Sequence, residues 1–429
     1  MHAAPAGRKI PFPANLQPPI YDTAMKKEVP VEELKFGVYV SELDRPWTET
    51  PFMFQGFVLK DDKQLEILKK HCKKVTIDLE KGADLEDTAS RKRTANQGPS
   101  VLESIKTKVK YEEKASVDVE MPAARAATKK TEGVLKDIFT SVQAGKALDA
   151  PRVKEAVTSM TDSVVRNPDA MLLLAKMKQK GEHTLDRALG VSIYMITFGR
   201  FLQLPREQLD LLGMLGLLQD IGKTRVPEDV LTKEGTLNKS EMAVCKSHVG
   251  HSVEILKETP GLPPELPGLA ALHHERFDGT GYPNSLKGAQ IGLFGSIAGL
   301  VDCFDALTHP RPYGEALAPS NALNMLYNGR DTQFDRPLVE QFIQCIGIYP
   351  VGALVEMNSG EIGIVIAQNL VRRLQPRVML VLDAKSIPKK PPLILDLARE
   401  PKVNADTPFR IKRTLEKGSV AIDPSEFFI

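Results

Sequence analysis

The sequence predicts a multidomain chain: a small N-terminal α/β domain, a mainly α-helical domain and a short β-rich C-terminal extension. Three observations carry this. Residues 26–80 mix strand-like and helix-like patterns. Residues 131–348 repeat apolar side chains at three- and four-residue spacing. After residue 349, short strand-like runs return. The length of 429 residues accommodates two to three domains at about 150 residues each.

The elements follow in chain order. Residues 1–25 carry five prolines and no apolar stretch, so they are expected as a disordered tail, not a signal peptide. Within 26–80, residues 37–43, 52–59 and 73–79 suit strands, and 61–72 suit a helix with Asp61 or Asp62 as its cap. His71 stands alone there and is expected to be an ordinary surface side chain. Residues 81–130 are rich in Lys, Glu, Ala, Ser and Thr, a linker composition. The helical domain spans 131–348. One helix is expected to open at Asn238, with Glu241 three residues on as the partner in a capping box. Within the β-rich extension, 349–429, the turn at 358–360 joins two strand-like runs into a hairpin.

Composition limits the function. Lys and Arg total 57 against 55 Asp and Glu, a formal charge of +2. A DNA-binding chain would carry a marked basic excess, so no DNA partner is expected. The four cysteines, Cys72, Cys245, Cys303 and Cys345, are scattered without a CxxC pair. That excludes a disulfide scaffold and a cysteine zinc site, and suits the cytoplasm. No uninterrupted apolar run approaches the roughly 18 residues that cross a bilayer, so no membrane span is expected.

Charged and titratable residues interrupt otherwise apolar helices. Asp220 and Lys223 end a very hydrophobic run. His248 and His251 lie about one turn apart. His273 and His274 precede Asp278 and a glycine-rich turn, and Asp302 and Asp305 lie one turn apart in an apolar run. A buried charge needs a partner, so these groups are expected to find one another or a metal. Imidazoles with carboxylates suit a divalent transition metal: iron, manganese or zinc. Singly, each residue has a plain structural reading. The joint pattern is harder to reach by chance.

The strings HHERFDGTGYP, SIAGLVDCFDALTHPRPY, CKSHVGHSVEIL and FDRPLVEQFIQCIGIYPVGALVEMNSGEIGIV resemble the HD-GYP family. That family is the branch of HD-type metal phosphohydrolases linked to cyclic di-GMP hydrolysis. The resemblance is close over 180–385, and 26–80 resembles an uncharacterised domain that often precedes HD-GYP domains. It implies a helical HD-type domain with two metals sharing Asp220. His248, His273 and His274 complete the first metal, and Asp302 serves the second. Lys223 is implied as a catalytic and phosphate-binding residue beside Asp220, and Arg311 as a phosphate ligand. The loop bearing Gly279, Gly281, Tyr282 and Pro283 is implied as a partner surface for GGDEF-type cyclases.

The chain departs from the family's pattern. The name-giving His-Asp pair reads Gln219-Asp220, and Arg187 stands where the first helix has a metal histidine. Gly314 and Ser296 stand where basic side chains are usual. An arginine offers no lone pair, so it cannot ligate. One ion rather than two is therefore expected, with the Arg187 guanidinium near Asp302 or Asp220. His183, one turn before Arg187, is a candidate substitute ligand. Three functions follow. The first is a degenerate family member of reduced or absent phosphodiesterase activity that binds cyclic di-GMP, a related nucleotide or a partner. The second is an active phosphodiesterase with an altered metal site. The third is a scaffold without metal or nucleotide. The changes at Arg187 and Gln219 favour the first over the second.

Overall fold

The computed structural model describes residues 26–45, 50, 52, 57–59, 61–78, 100–177, 183–233, 235–309, 316–369, 372, 374–415 and 419–420. The expected tail at 1–25 lies outside them. The chain divides into two compact units, Met1–Gln97 and Gly98–Ile429.

The first unit is a four-stranded antiparallel sheet with one helix. Its strands are β1 (Lys26–Pro30), β2 (Tyr39–Leu43), β3 (Phe57–Val58) and β4 (Lys74–Asp78), in the order β1-β4-β2-β3. Helix α1 (Asp62–His71) starts where the Asp61 carboxylate accepts from the Gln64 amide at 2.9 Å, so Asp61 is the cap. Val29, Val40, Leu59, Leu68 and Ile77 form its core. Strand β1 is an addition to the sequence reading. Its KKEVP run is short and half-charged, so only pairing with β4 reveals it.

The second unit is mainly helical. It runs α2 (Val117–Gln143), α3 (Ala150–Arg166), α4 (Pro168–Met177), α5 (His183–Phe201) and α6 (Arg206–Leu218), then α7 (Glu228–Leu231), α8 (Lys239–Lys246), α9 (His248–Lys257) and α10 (Leu266–Ala270). Helices α11 (Gly292–Thr308), α12 (Pro319–Asn328) and α13 (Arg336–Ile346) follow. The sequence reading assigns 81–130 to linker, but 117–130 open helix α2. Ala124, Ala127, Thr131, Val134, Leu135 and Ile138 recur every three or four residues and are buried. Their alanines and threonines are small, so the stripe is faint in sequence although it packs well.

Asn238 caps α8 as expected, and Glu241 returns a bond to the Asn238 amide at 2.8 Å. Helical spacing continues in the sequence to 258, but the helix that opens at Asn238 ends before Ser247. Helix α9 therefore starts at His248. Among the described residues, one segment, Gly288–Thr308, is long and apolar enough to cross a membrane, but 72% of its apolar window is buried inside the protein. It is the central core helix, in which Phe304 packs edge-on against Tyr194 and Phe342.

Strands β5 (Leu354–Met357), β6 (Ile362–Ala367), β7 (Arg377–Leu382), β8 (Pro388–Asp396) and β9 (Ile411–Thr414) close the chain as an antiparallel sheet, ordered β8-β7-β6-β5-β9. Gly360, at φ +84°, makes the expected β5–β6 turn. All six residues of β6 are buried, so both faces of the sheet are covered at this central strand, whereas the edge strand β8 is largely exposed.

Candidate metal centre

Helix α6 delivers the first carboxylate. It is buried along almost its whole length and ends with Gln219 as its C-terminal cap. Asp220 then opens a 3-10 turn, Ile221–Arg225. Gly222 lets that turn lie directly on α9. A Cβ there would sit 2.1 Å from the His248 carbonyl oxygen and 2.4 Å from the Ser252 nitrogen. The Gly222 amide donates instead to the Ser252 hydroxyl at 2.9 Å. This close approach sets Asp220 against His248.

Asp220, His248, His273 and His274 offer ligand atoms that all lie within 4.8 Å of one another, and together they could hold a metal ion. Asp220 Oδ1 lies 3.2 Å from His248 Nε2 and 3.5 Å from His273 Nε2. His274 Nε2 lies 3.2 Å from His248 Nε2. Two of the rings are oriented from behind. His248 Nδ1 donates to the Cys245 carbonyl at 2.6 Å, and His273 Nδ1 to the Ala270 carbonyl at 2.7 Å. Each proton is thereby committed, and in the neutral ring Nε2 is left with a lone pair. Acceptor nitrogens thus face one another and a carboxylate oxygen, Oδ1, that has no hydrogen-bond partner among the described residues. A cation resolves that arrangement, so the donor set fits a divalent metal ion.

Lys223 supplies charge at the rear. Its ammonium lies 2.5 Å from Asp220 Oδ2. Burial disfavours the ionised Asp220, but the Lys223 ammonium together with the neighbouring His248 and His273 more than offsets it, so this carboxyl stays well below the usual carboxylate range. Burial, together with the neighbouring His273, drives the His274 pKa down, which keeps its ring neutral.

A second group of charges lies across α5 and α11. Arg187 Nη2 donates to Asp302 Oδ1 at 2.8 Å, and Arg187 Nε to Asp305 Oδ2 at 3.1 Å. Asp305 is fully buried, and His309 Nδ1 lies 3.0 Å from its Oδ1. Burial works against the Arg187 charge. The carboxylates of Asp302, Asp305 and Asp220 more than restore it, so its pKa lies above the ordinary arginine value. Asp302 is held by the arginine, as expected for Arg187, and lies outside the four-residue cluster. Gln219 is buried, and neither amide atom has a hydrogen-bond partner among the described residues.

The remaining candidates fall elsewhere. His183 heads α5, but its side chain lies outside the described residues, as do Arg311 and Gly314. His251 turns from the cluster to Ser247 Oγ, at 3.3 Å. Asp278 accepts from the Thr280 amide and hydroxyl, the bonds of a tight turn. Ser296 lies on α11 with its hydroxyl buried and unbonded among the described residues. Gly279 and Gly281 shape the loop. A Cβ on Gly281 would meet the Arg276 nitrogen at 2.3 Å. Pro283 is exposed at the rim, whereas Tyr282 stacks on His274 with ring centroids 4.6 Å apart and planes 22° apart.

Asp305, singled out in the sequence beside Asp302, anchors Arg187 and also lies against His309 four residues on. Sequence reasoning missed Glu275 and two backbone carbonyls. Glu275 is buried and accepts from the Asn284 and Leu286 amides at 2.7 and 3.0 Å, fastening the loop. The carbonyls of Cys245 and Ala270 leave no mark in side-chain patterns.

Comparison with known proteins agrees with this geometry. A family profile described as a domain of unknown function (DUF3391) matches residues 26–153, and one described as an HD domain matches residues 169–338. The chain is 32% identical over 379 residues to a cyclic di-GMP phosphodiesterase of Pseudomonas aeruginosa, covering 87% of this chain and 90% of that one. It is 39% identical over 144 residues to the cyclic di-GMP phosphodiesterase response regulator RpfG of Xanthomonas campestris, covering 33% and 38%. It is 31% identical over 171 residues to a 3'3'-cGAMP-specific phosphodiesterase of Vibrio cholerae, covering 40% and 32%.

Proposed function

The chain belongs to the HD-GYP family of HD-domain phosphohydrolases, and from that premise we propose a one-ion variant acting in cyclic di-GMP signalling in the cytoplasm. It binds the cyclic dinucleotide and hydrolyses it weakly or not at all. The Arg187 guanidinium between Asp302 and Asp305 carries this reading. Asp220, His248, His273 and His274 would hold one divalent ion, iron or manganese by family likeness. Such an ion lowers the pKa of a water from 15.7 to about 7 and neutralises phosphate charge.

The chain's own residues divide the remaining work. His248 and His273 are locked in the tautomer that presents Nε2. Lys223 holds Asp220 ionised and is the nearest cation for a phosphate oxygen. Arg187 supplies fixed positive charge where the family places a second ion. A guanidinium can neutralise charge but cannot activate water, so both binding and the loss of turnover follow from it. Arg311 and the GGDEF-type partner of the loop remain part of the proposal through family likeness alone.

Elemental analysis and a paired assay test this. The expected outcome is one ion per chain, saturable binding of cyclic di-GMP, and slow or absent conversion with manganese or ferrous iron. Two ions per chain with brisk turnover would establish the active alternative. No ion and no nucleotide under metal-replete conditions would leave the scaffold. The Vibrio relative's named substrate makes 3'3'-cGAMP the comparison ligand.

A further inference from the structure

The three cluster histidines are not held alike. His248 and His273 are each oriented by a carbonyl behind the ring. Among the described residues nothing accepts from His274 Nδ1, and its one hydrogen-bonding contact is Nε2 against His248. Its ring meets His273 tilted at 4.1 Å and His248 edge-on at 5.1 Å, while Tyr282 lies nearly parallel on its face at 4.6 Å. We infer that Tyr282 is the positioning residue for His274, and that its loop thereby sets how tightly the cluster retains a divalent ion.

The tyrosine is itself held on three sides. Its amide donates to the His274 carbonyl at 3.2 Å. The Lys246 ammonium, from the last turn of α8, lies 4.5 Å from its ring centroid. Glu275, next to His274 in sequence, binds the loop's return at Asn284 and Leu286. A flat ring on a flat ring restricts the imidazole torsion that aims Nε2. This is the task that a hydrogen-bonded partner performs behind the other two rings. Because Pro283, Asn284 and Ser285 are exposed, anything that displaces the loop from outside moves Tyr282 and frees His274.

The inference rests on the one-ion reading above, and the test separates the two. Manganese and cobalt affinities are measured by competition with a chromophoric chelator for wild type, Tyr282→Phe, Tyr282→Leu and Tyr282→Met. The cobalt absorption spectrum and the melting temperature are recorded alongside. The phenylalanine variant keeps the ring and is expected to bind within about threefold of wild type. The leucine and methionine variants keep bulk but lose the flat face. They are expected to bind about 10- to 100-fold more weakly, with an altered cobalt spectrum and a wild-type melting temperature. Two aliphatic variants guard against one failing to fold. Wild-type affinity in both, or an equal loss in Tyr282→Phe, would overturn the inference. Two ions in wild type would overturn only the one-ion reading, and no ion in wild type would overturn both.

Discussion

Arg187 and Asp302 form a direct ion pair, Nη2 to Oδ1 at 2.8 Å, between helices α5 and α11. The arginine side chain is 16% exposed and the aspartate 10%. With Asp305 on its other edge, the guanidinium is clamped between two carboxylates of adjacent turns. Like charges this close would repel across α11 without it.

Removing the cation should therefore destabilise the helical unit. Arg187→Met leaves buried Asp302 without its cation and Asp305 with His309 alone, at a cost of about 3–5 kcal/mol. Urea unfolding is expected to show a lower midpoint at unchanged slope. Adding Asp305→Asn should recover part of the loss. A midpoint equal to wild type in Arg187→Met would show that the pair contributes nothing.

Restoring ligands should restore an ion. In Arg187→His/Gln219→His, Asp302 is released and two imidazoles are added beside Asp220. Elemental analysis is expected to rise from one ion per chain to two, and cyclic di-GMP hydrolysis to rise with it. A count that stays at one would mean that Arg187 is not what excludes the second ion.

Gly222→Ala should disturb the centre without replacing a ligand. The added Cβ meets backbone, not a side chain that can swing away. The 3-10 turn must lift off α9, costing about 1–3 kcal/mol. Asp220 then moves from His248, so ion affinity should fall together with the melting temperature. An unchanged affinity would place the Asp220–His248 spacing under other control.

Asp169 should make stability depend on pH. It is buried at the start of α4 and accepts from the Gln368 amide at 2.9 Å, joining α4 to the segment after β6. Burial raises its pKa to about 7, against the lowering effect of that hydrogen bond. A raised folded-state pKa means that the neutral form is preferred in the fold. The contribution is fully present below about pH 4 and is lost as pH rises through about 7. The change is on the order of 2–4 kcal/mol. Asp169→Asn, which can keep the Gln368 bond, should flatten the stability profile over that window. An unaltered profile would mean that Asp169 titrates normally.

Much of the centre was legible because its chemistry lies in residue types. His248, His273, His274 and Asp220 stand in or beside apolar runs of the sequence, and a buried charge or imidazole in such a place needs a partner. Helix α2 was hidden because its buried stripe is built largely of alanine and threonine, which composition cannot tell from a linker. Strand β1 was hidden because five half-charged residues become a strand only against β4. The break at Ser247 was hidden because 238–258 keeps helical spacing throughout.

By itself the sequence determined which atoms are available: three imidazoles and a carboxylate that can ligate, an arginine that offers no lone pair, a glutamine beside Asp220, and a glycine-rich loop with one tyrosine. Those are properties of side chains, and no fold alters them. Only the tertiary structure decided how they pair. It gave Asp302 and Asp305 to Arg187, left the Gln219 amide without a partner, turned two imidazoles outward from backbone carbonyls and set Tyr282 on the third. Helices α5, α6, α9 and α11 bring together residues more than a hundred positions apart, and a distance of that kind is fixed by core packing, which no local pattern records.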